Sequence, residues 1–439
     1  MSTNNECNFN IPVAVANGGT NATTATTAFN NLSPLTTKGD VLTYSTTNTR
    51  LAVGSNGAVF TADSAQTTGN KWATVSGTVT SAGISSTNLT VASSPITTSG
   101  TITVNAPLSI TGNNLLINGD FQVWQRGADG SAAISVAAST VAYTADRWQI
   151  STAAGGASTV TQTAGATSGS YLAKVQRDNA AVGTDPMRFC QSLPRDMCIG
   201  IAGSVVTVSF KAKSGANFSS SGSALSVTLY TGTGSTDISG INGAFTGSAT
   251  PVSTSVTLTS TLTSFSATSS TIGSTVTQLA LQFSYTPTGI ASADDSYYLG
   301  DVQVEIAPKA TNFQRRTYSW QLNQCQAFYY KSFNYGTAPA QNVGTGTGEI
   351  SLSVVAANAF NTGAMLMLPN YMRAAPTATL YNPSAANAQI RNVTTAADFS
   401  SSTVAVSSLY GLAVTGNSDA GSTTGDRASY HVTLVAELT

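Results

Sequence analysis

The chain has 439 residues, a hydrophobic content of 41% and a formal net charge of −1 at pH 7. Charged residues make up only 8% of it, whereas a typical soluble domain carries about 25%. This composition excludes an intrinsically disordered chain, which needs high net charge, and a nucleic-acid interface, which needs clustered Lys and Arg. With one His and few acids, the chain is also poor in the groups that acid–base enzymes use.

The first two regions in chain order are too poor in apolar residues to bury a core of their own. Region 1–35 is rich in Asn, Thr and Ala and predicts one short helix at 23–32. Region 36–113 contains short strands, and its segment 76–80 (SGTVT) returns at 99–104 (SGTITV). Apolar and hydroxyl residues alternate in these segments, as in half-buried strands. Because such narrow strands need a neighbour to cover them, we expect a slender shaft made of three copies of the chain.

Region 114–310 is large enough for a β-sandwich of its own. Its apolar–polar alternation and its Gly/Ser-rich turns, with no helical pattern between them, predict an antiparallel sandwich or jelly roll. We expect the hydroxyl-rich segments 215–222 and 231–275 to be loops at the ends or edges of this domain. The clearest strands are predicted at 205–213, 225–230, 279–285 and 297–305.

Region 311–439 begins with the clearest helical pattern in the chain. Four residues recur at the spacing of one helix face. They are Tyr318, Leu322, Cys325 and Tyr329. Beyond this helix the pattern returns to strands, and the last of them is apolar enough to be a central, docked element. These strands are predicted at 349–355, 378–381, 404–414 and 430–438.

The N-terminus and the cysteines bear on location and redox state. The first residues lack the basic and apolar regions of a secretory signal, and no stretch approaches the roughly 20 apolar residues of a membrane span. We therefore expect synthesis in a cytosol and no membrane insertion. Cys7, Cys190, Cys198 and Cys325 are too few for a disulfide scaffold and lack zinc-ligand spacing. We expect reduced, buried thiols, with a Cys190–Cys198 disulfide as the alternative, and we predict neither a metal nor a cofactor.

Two motifs stand out in the first half of the chain. One comprises residues 36–43 (TTKGDVLT), 50–63 (RLAVGSNGAVFTAD) and 71–73 (KWA). It resembles the shaft module found in many tail fibres of tailed bacteriophages. The other comprises residues 115–127 (LLINGDFQVWQRG) and 144–148 (TADRW). It is similar to the start of a carbohydrate-binding-module-like jelly roll in phage tail proteins.

A third motif joins residues 302–306 (VQVEI), 313–318 (FQRRTY) and 325–330 (CQAFYY). Together the three motifs resemble tail-fibre and receptor-binding proteins of tailed bacteriophages, over most of the chain from about residue 17 to residue 330. The resemblance implies an elongated homotrimeric fibre that is mainly β, with one helix in its C-terminal domain. The implied parts are a virion-attachment segment 1–35, a β-shaft 36–113, a jelly roll 114–310 and a distal C-terminal β-domain 311–439.

The jelly-roll motif supplies five candidates for structural roles. Trp124 and Trp148 lie among apolar neighbours, so we predict that they pack in the core, with sugar-stacking platforms as the alternative. Asp146 and Arg147 are predicted to fix the adjacent turn. Arg126 belongs to the same motif.

Two further pairs of charged residues are candidates. Arg315 and Arg316 form the only basic doublet beside an aromatic residue, and we predict an ion pair at a domain junction, with Glu305 as the candidate partner. Asp294 and Asp295 are the only adjacent acids. A role in a turn is predicted for them, with a weak Ca²⁺ contact as the alternative.

Three tyrosines in polar segments of the last region are the candidates for host contact. Tyr335, Tyr381 and Tyr410 each offer a large amphipathic surface at little entropic cost. The alternative is that they are ordinary strand or hinge aromatics. His431 lies inside the last predicted strand, and we predict a structural role for it.

The resemblance thus implies a virion protein that attaches a phage to its host by binding a surface glycan, and the scarcity of titratable groups favours a non-enzymatic role. Weak single sites would be compensated by multivalency. We expect the protein in the virion, after assembly in the host cytoplasm, with other copies of itself, other tail or baseplate proteins and the host glycan as partners. The alternatives are a collar, baseplate or capsid-attached fibre that binds only virion proteins, and a glycan-degrading tailspike.

Overall fold

The computed structural model describes residues 19–75, 81–84, 90–92, 102–105, 114–130, 132–152, 156–167, 169–363 and 365–438. Backbone contacts divide the chain into two compact units, residues 1–84 with 92–103 and residues 85–91 with 104–439. Most of the predicted shaft repeat, at 76–80 and 99–101, lies outside the described residues, as does Cys7. Among the residues described, no helix combines the length and the apolar character needed to cross a membrane.

The N-terminal elements are a short helix and small hairpins with almost nothing buried. Thr24 caps the helix, because its side chain accepts a hydrogen bond from the Thr27 N–H. Among residues 19–75, Thr43 is the one buried residue. Two-stranded hairpins are marginally stable alone in water, and here β1 pairs with β2 and β3 with β4. The elements are α1 (Ala25–Leu32), β1 (Val41–Tyr44), β2 (Asn48–Leu51), β3 (Ala58–Ala62), β4 (Asn70–Thr74), β5 (Thr90–Ala92) and β6 (Thr103–Asn105).

The predicted antiparallel sandwich is confirmed. Twelve strands form two six-stranded sheets. They are β7 (Ile134–Val136), β8 (Val141–Tyr143), β9 (Gln149–Ser151), β10 (Ser158–Ala164), β11 (Tyr171–Arg177), β12 (Met187–Leu193), β13 (Val206–Ser214), β14 (Ala224–Gly232), β15 (Ala249–Thr257), β16 (Thr263–Thr268), β17 (Gln278–Tyr285) and β18 (Ser296–Ile306). The first sheet has the order β16-β13-β18-β11-β10-β7, and the second has the order β15-β14-β17-β12-β9-β8.

The core of the sandwich lies between the two sheets and is rich in aromatic rings. Trp148 stacks on Phe189 with ring centroids 5.0 Å apart, and Phe210 meets Phe283 edge to face at 4.9 Å. In strands with apolar–polar alternation, the apolar residues point inward, as the period-two pattern predicts. In β13, for example, Val208, Phe210 and Ala212 are buried, whereas Ser209 and Lys211 between them are partly exposed.

The prediction that 231–275 is a loop is wrong over much of its length. The segment contains β15 and β16, which are the edge strands of the two sheets. Both strands are dominated by Ser and Thr and are largely exposed, so they lack the strong apolar alternation by which a strand is found in sequence. Segment 215–222 contains no strand.

Six of the C-terminal strands form a sheet around the last of them, which confirms the predicted central element, and the other four form a separate sheet. Its first half pairs with β20 and β24, and its second half pairs with β19 and β23. The elements are α2 (Tyr318–Gln326), β19 (Tyr329–Lys331), β20 (Ile350–Ser353), β21 (Phe360–Thr362), β22 (Leu366–Met367), β23 (Thr377–Tyr381), β24 (Arg391–Asn392), β25 (Ala397–Asp398), β26 (Ser401–Ser407), β27 (Gly411–Asn417) and β28 (Arg427–Val435).

Two predictions in this region are corrected by the structure. The helix ends at Gln326, so Tyr329 is not on its face but opens β19, opposite Val435 of β28. The single strand predicted at 404–414 is a hairpin of β26 and β27, because the Ser408 side chain bonds the backbone of Gly411 and closes a turn. The division of this unit at residue 310 stays a prediction.

Candidate functional site

The two tryptophans of the jelly-roll motif lie inside the molecule. Trp124 and Trp148 are both fully buried, and their indole N–H groups donate to the carbonyls of Phe121 at 2.7 Å and Asn118 at 3.1 Å. A buried indole with a satisfied N–H packs the core and offers no surface for a sugar to stack on.

The other three residues of that motif meet the end of the chain in a buried ionic cluster. Arg126 contacts Glu437 at 2.9 Å and Asp146 at 3.7 Å, and Arg147 pairs with the same Glu437. The guanidinium of Arg147 lies 3.6 Å from the ring centroid of Phe328. Burial raises the pKa of Asp146, and the neighbouring Arg126 opposes that rise. This cluster joins the sandwich to the residues that follow β28.

The basic doublet is placed differently from the prediction. Arg315 pairs with Asp301 at 3.1 Å. The proposed partner, Glu305, is buried, and its carboxylate instead accepts hydrogen bonds from the backbone and hydroxyl of Thr311 at 2.8 and 2.7 Å. Arg316 lies over the ring of Trp320 at 4.3 Å. The prediction of Glu305 as the partner is therefore wrong, because Thr311 and Gln303 donate to its buried carboxylate instead.

One cavity brings a predicted tyrosine together with other sugar-compatible groups. It has a volume of about 590 Å³. Strand β11 and the turn before it form one wall, and the start of α2 with the segment after β19 forms another. We call it the tyrosine cavity. Its lining residues are Gln122, Asp129, Gln162, Gly169, Tyr171, Tyr318 and Tyr335.

Tyr335 is fixed in this cavity by the jelly-roll motif. Its hydroxyl accepts a hydrogen bond from the backbone N–H of Trp124 at 2.6 Å and donates to the Gln122 carbonyl at 3.3 Å. Its ring meets Tyr318 edge to face, with centroids 5.7 Å apart and planes at 86°. Burial raises the pKa of Tyr335 far above its ordinary value, so the phenol is neutral. The ring is therefore a rigid, uncharged wall.

A buried lysine holds the segment that carries Tyr335. The Lys331 ammonium donates to the carbonyls of Tyr335 at 2.7 Å and Thr337 at 2.9 Å, and it reaches the Gly127 carbonyl at 3.5 Å. Three carbonyls around one ammonium close the turn after β19 against the jelly-roll motif. Burial lowers the pKa of Lys331 to about 8.

The opposite side of the tyrosine cavity depends on a glycine. Gly130 has a φ of +80°, and a Cβ there would lie 2.8 Å from Trp124 Cγ and 2.8 Å from Gln162 Cβ. Gln162 can therefore approach, with its N–H donating to the Gly130 carbonyl at 3.1 Å and its amide donating to the Phe121 carbonyl at 2.6 Å. These bonds fix the amide of Gln162 in the cavity wall.

The other two predicted tyrosines lie elsewhere. Tyr381 ends β23, packs edge to face on Phe333 at 5.3 Å and bonds the Thr433 hydroxyl at 3.3 Å. Tyr410 is 47% exposed and meets Tyr371, which is 70% exposed, at 6.2 Å. Tyr410 and Tyr371 therefore form an exposed aromatic pair, whereas Tyr381 is a packing residue.

The remaining candidates have structural partners. His431 is buried, stacks on Phe333 at 4.0 Å and bonds the Ser332 hydroxyl and the Gly344 carbonyl. Asp294 pairs with Lys174, and Asp295 is buried against Arg177; both distances are 2.9 Å. Among the described residues, no group of three or more His, Cys, Asp or Glu is placed to hold a metal ion.

The three cysteines that the structure describes are buried, unpaired thiols. They are Cys190, Cys198 and Cys325. Burial raises the pKa of Cys190 and of Cys198 to about 12, so both stay protonated. Cys325 packs from α2 against Ile117 and Val123 of the jelly-roll motif.

Sequence reasoning missed most of the tyrosine cavity. Tyr318 was visible as part of a helix face and Gln122 as part of the jelly-roll motif, but Gln162 and Tyr171 carried no signal. Tyr335 and Trp124, which meet through a hydrogen bond, are 211 positions apart. Only the packing of α2 and β19 against the sandwich brings these residues together.

Comparisons with known proteins give structural neighbours only. No protein-family model matches the chain, and no curated protein matches it. The chain is similar to the CBM22-1 xylan-binding domain of Xyn10C from Paenibacillus barcinonensis, with 19% identity, 46% of this chain and 99% of that chain covered, and a TM-score of 0.26. A CBM4 structure is similar at 17% identity, over 33% of this chain and 77% of that chain, with a TM-score of 0.22.

A phage protein is also among the neighbours. The enzymatically active domain of tailspike protein 4 from bacteriophage CBA120 is similar at 11% identity, with 44% of this chain and 21% of that chain covered and a TM-score of 0.26. The solved structures similar to this chain thus include carbohydrate-binding modules and a tailspike domain.

Proposed function

We propose that the chain is a virion fibre protein of a tailed bacteriophage that attaches the particle to its host by binding a surface glycan without cleaving it. The observation that carries this proposal is the tyrosine cavity, where three phenol rings converge with two amides and a carboxylate. Its volume of about 590 Å³ lies within the roughly 300–1,000 Å³ of small-molecule sites, which combine apolar walls with a few polar groups.

Each part of the tyrosine cavity suits a sugar ring. A pyranose presents C–H groups on its faces and hydroxyls around its rim. Tyr171, Tyr318 and Tyr335 supply flat apolar surfaces with a polar tip. The amides of Gln122 and Gln162 both donate and accept, so they match hydroxyl groups, which do the same.

The acids of the chain support binding without hydrolysis. Glycosidases of the common type place two carboxyl groups on either side of the scissile bond. Asp129 is the one carboxylate among the residues that line the tyrosine cavity. The adjacent acids Asp294 and Asp295 are each engaged by a cation of the chain.

The N-terminal unit supports the fibre part of the proposal. Phe29, Leu32, Tyr44 and Val75 are 70%, 60%, 67% and 67% exposed. Within residues 19–75, where Thr43 is the one buried residue, such exposed apolar side chains need a cover. We propose that two further copies of the chain provide it, and that segment 1–35 attaches the trimer to tail or baseplate proteins. Three copies per fibre would multiply weak single-site affinity.

A glycan array probed with the full chain tests the proposal. We expect binding to a narrow set of bacterial surface glycans and no release of sugar from the bound polysaccharide. Absence of binding at high valency would favour a collar, baseplate or capsid-attached fibre. Release of sugar would favour a tailspike depolymerase. Imaging of intact particles with the chain labelled would then locate both ends of the fibre.

A further inference from the structure

A row of three side chains crosses the outer face of the first sheet. In the strand register, Lys174 of β11 lies opposite Tyr298 of β18, which lies opposite Lys213 of β13. Their strand neighbours Val175, Leu299 and Ala212 belong to the core, so the row faces away from it. All three residues of the row are partly exposed. We call it the lysine–tyrosine row.

The two ammonium groups flank the ring of Tyr298. The Nζ of Lys213 lies 4.5 Å from the ring centroid, and the Nζ of Lys174 lies 5.6 Å from it. Cations at this distance are attracted by the ring and are thereby held beside it. Two positive charges and one phenol therefore share a small area of the sheet.

The charges of this face do not cancel. Lys174 pairs with Asp294 at 2.9 Å, whereas among the described residues no carboxylate lies within ion-pairing distance of Lys213. Lys211, two residues earlier on the same face of β13, shares Asp301 with Arg315. This face thus carries four cationic side chains and only two carboxylates, Asp294 and Asp301, that pair with them.

This excess is unusual in a chain so poor in charge. The sequence contains seven lysines, and three of them, Lys174, Lys211 and Lys213, are on this face. Glu305, further along β18, adds no accessible negative charge, because it is buried and bonded to Thr311. The face is a local positive field on a chain whose net charge is −1.

Lys174 is positioned rather than neutralised by its carboxylate. Asp294 also accepts hydrogen bonds from the Ala216 N–H and the Ser296 hydroxyl, both at 2.8 Å. These bonds fix the carboxylate, and through it the ammonium. An ammonium has three donors, so Lys174 keeps donors for a second acceptor.

We propose that the lysine–tyrosine row binds the carboxylate of an acidic sugar residue, of the uronic acid type. The inference rests on the proposed function, because it names the class of glycan that the chain recognises. Lys213 and Lys174 pair with the carboxylate, and the ring and hydroxyl of Tyr298 contact the sugar that carries it. Tyr298 does not line the tyrosine cavity, so this is a second contact point for the same glycan.

The test compares oligogalacturonate with its methyl ester, which keeps the sugar rings and removes the charge. Calorimetric titration of the full chain should show binding of the acid, about tenfold weaker binding of the ester, and loss of that difference at high salt. Lys213→Met should weaken binding of the acid about tenfold and leave the affinity for the ester unchanged. Lys309→Met, at an exposed lysine outside the row, is the matched control.

Three results would overturn this inference. The first is equal affinity of the chain for the acid and the ester. The second is a Lys213→Met variant that binds the acid as tightly as wild type does. The third is binding of poly-glutamate, which has carboxylates but no sugar ring, as tightly as oligogalacturonate. Thermal unfolding of each variant shows that it is folded. If the chain binds neutral glycans on the array but fails these tests, only the acidic-sugar inference fails; if it binds no array glycan, the proposed function fails.

Discussion

Arg147 and Glu437, 290 positions apart in sequence, form an ion pair in which both side chains are 1% exposed. Arg126 joins the pair through the other carboxylate oxygen. The carbonyls on either side of Glu437 are held as well, since Arg373 donates to the Ala436 carbonyl at 3.0 Å and Tyr143 donates to the Leu438 carbonyl at 2.7 Å. The segment that follows β28 is thus clamped to the sandwich.

The first prediction concerns this clamp. Glu437→Gln leaves the buried guanidinium of Arg147 without a carboxylate partner and leaves Arg126 with Asp146 at 3.7 Å, and we expect a loss of about 3–5 kcal/mol in the free energy of unfolding. Urea denaturation measures it. The control is Arg315→Gln, whose arginine is 50% exposed and whose partner Asp301 keeps Lys211 at 2.8 Å, so it should cost about 0–1 kcal/mol. Equal small losses for both variants would contradict the role of the clamp.

The second prediction concerns pH. Burial lowers the pKa of His431 below its ordinary 6.5. Between that lowered pKa and 6.5 the unfolded chain binds a proton that the folded chain does not, so this histidine makes stability fall as the pH drops below about 6.5. His431→Gln removes this contribution to the pH dependence of the unfolding free energy. The unfolding free energy of wild type should therefore fall more steeply than that of the variant between about pH 7 and pH 5, and parallel curves would refute it.

The third prediction concerns the wall of the tyrosine cavity. Gly130→Ala adds a Cβ 2.8 Å from both Trp124 and Gln162 at a φ of +80°. Steric overlap adds to backbone strain, so we expect a loss of about 1–3 kcal/mol. Gly169→Ala is the matched control, because its φ is +75° and nothing lies within 4 Å of the added atom. The control should lose less, and identical losses in thermal or urea unfolding would argue against the close packing at Gly130.

The fourth prediction concerns self-association. Light scattering of the purified chain should give three times its mass of 44.6 kDa. Replacing Phe29 and Leu32 of α1 by Ser should weaken the assembly, because both side chains are largely exposed on the single chain. A monomer of the unchanged chain at micromolar concentration would rule out the trimer.

Sequence patterns predict the strands that carry strong apolar alternation and miss those that do not. The predictions at 205–213 and 279–285 match β13 and β17 to within one residue. The edge strands β15 and β16 were missed, because exposed edges built from Ser and Thr read like loops. Alternation reports burial, and an edge strand with little burial gives little signal.

The sites depend on contacts between distant segments, which the sequence does not report. Tyr335 was a candidate from its polar surroundings, yet its cavity needs Gln162 and Tyr171 from the sandwich. Arg315 was expected near Glu305 and instead meets Asp301, since the Glu305 carboxylate is bonded to Thr311 and Gln303, and no pattern in the sequence indicates these bonds. Tyr298 was seen only as part of a strand, and its two lysines became its neighbours through strand register.

Binding by the tyrosine cavity is tested most directly with the glycan that the array identifies. The affinity of the full chain for this glycan is measured by calorimetry and compared with that of Tyr318→Ala, inside the cavity, and Tyr371→Ala, in the exposed aromatic pair. We predict about tenfold weaker binding for Tyr318→Ala, because truncating a contacting tyrosine removes its apolar surface, and unchanged binding for Tyr371→Ala. Wild-type affinity in folded Tyr318→Ala, or a loss confined to Tyr371→Ala, would contradict the account.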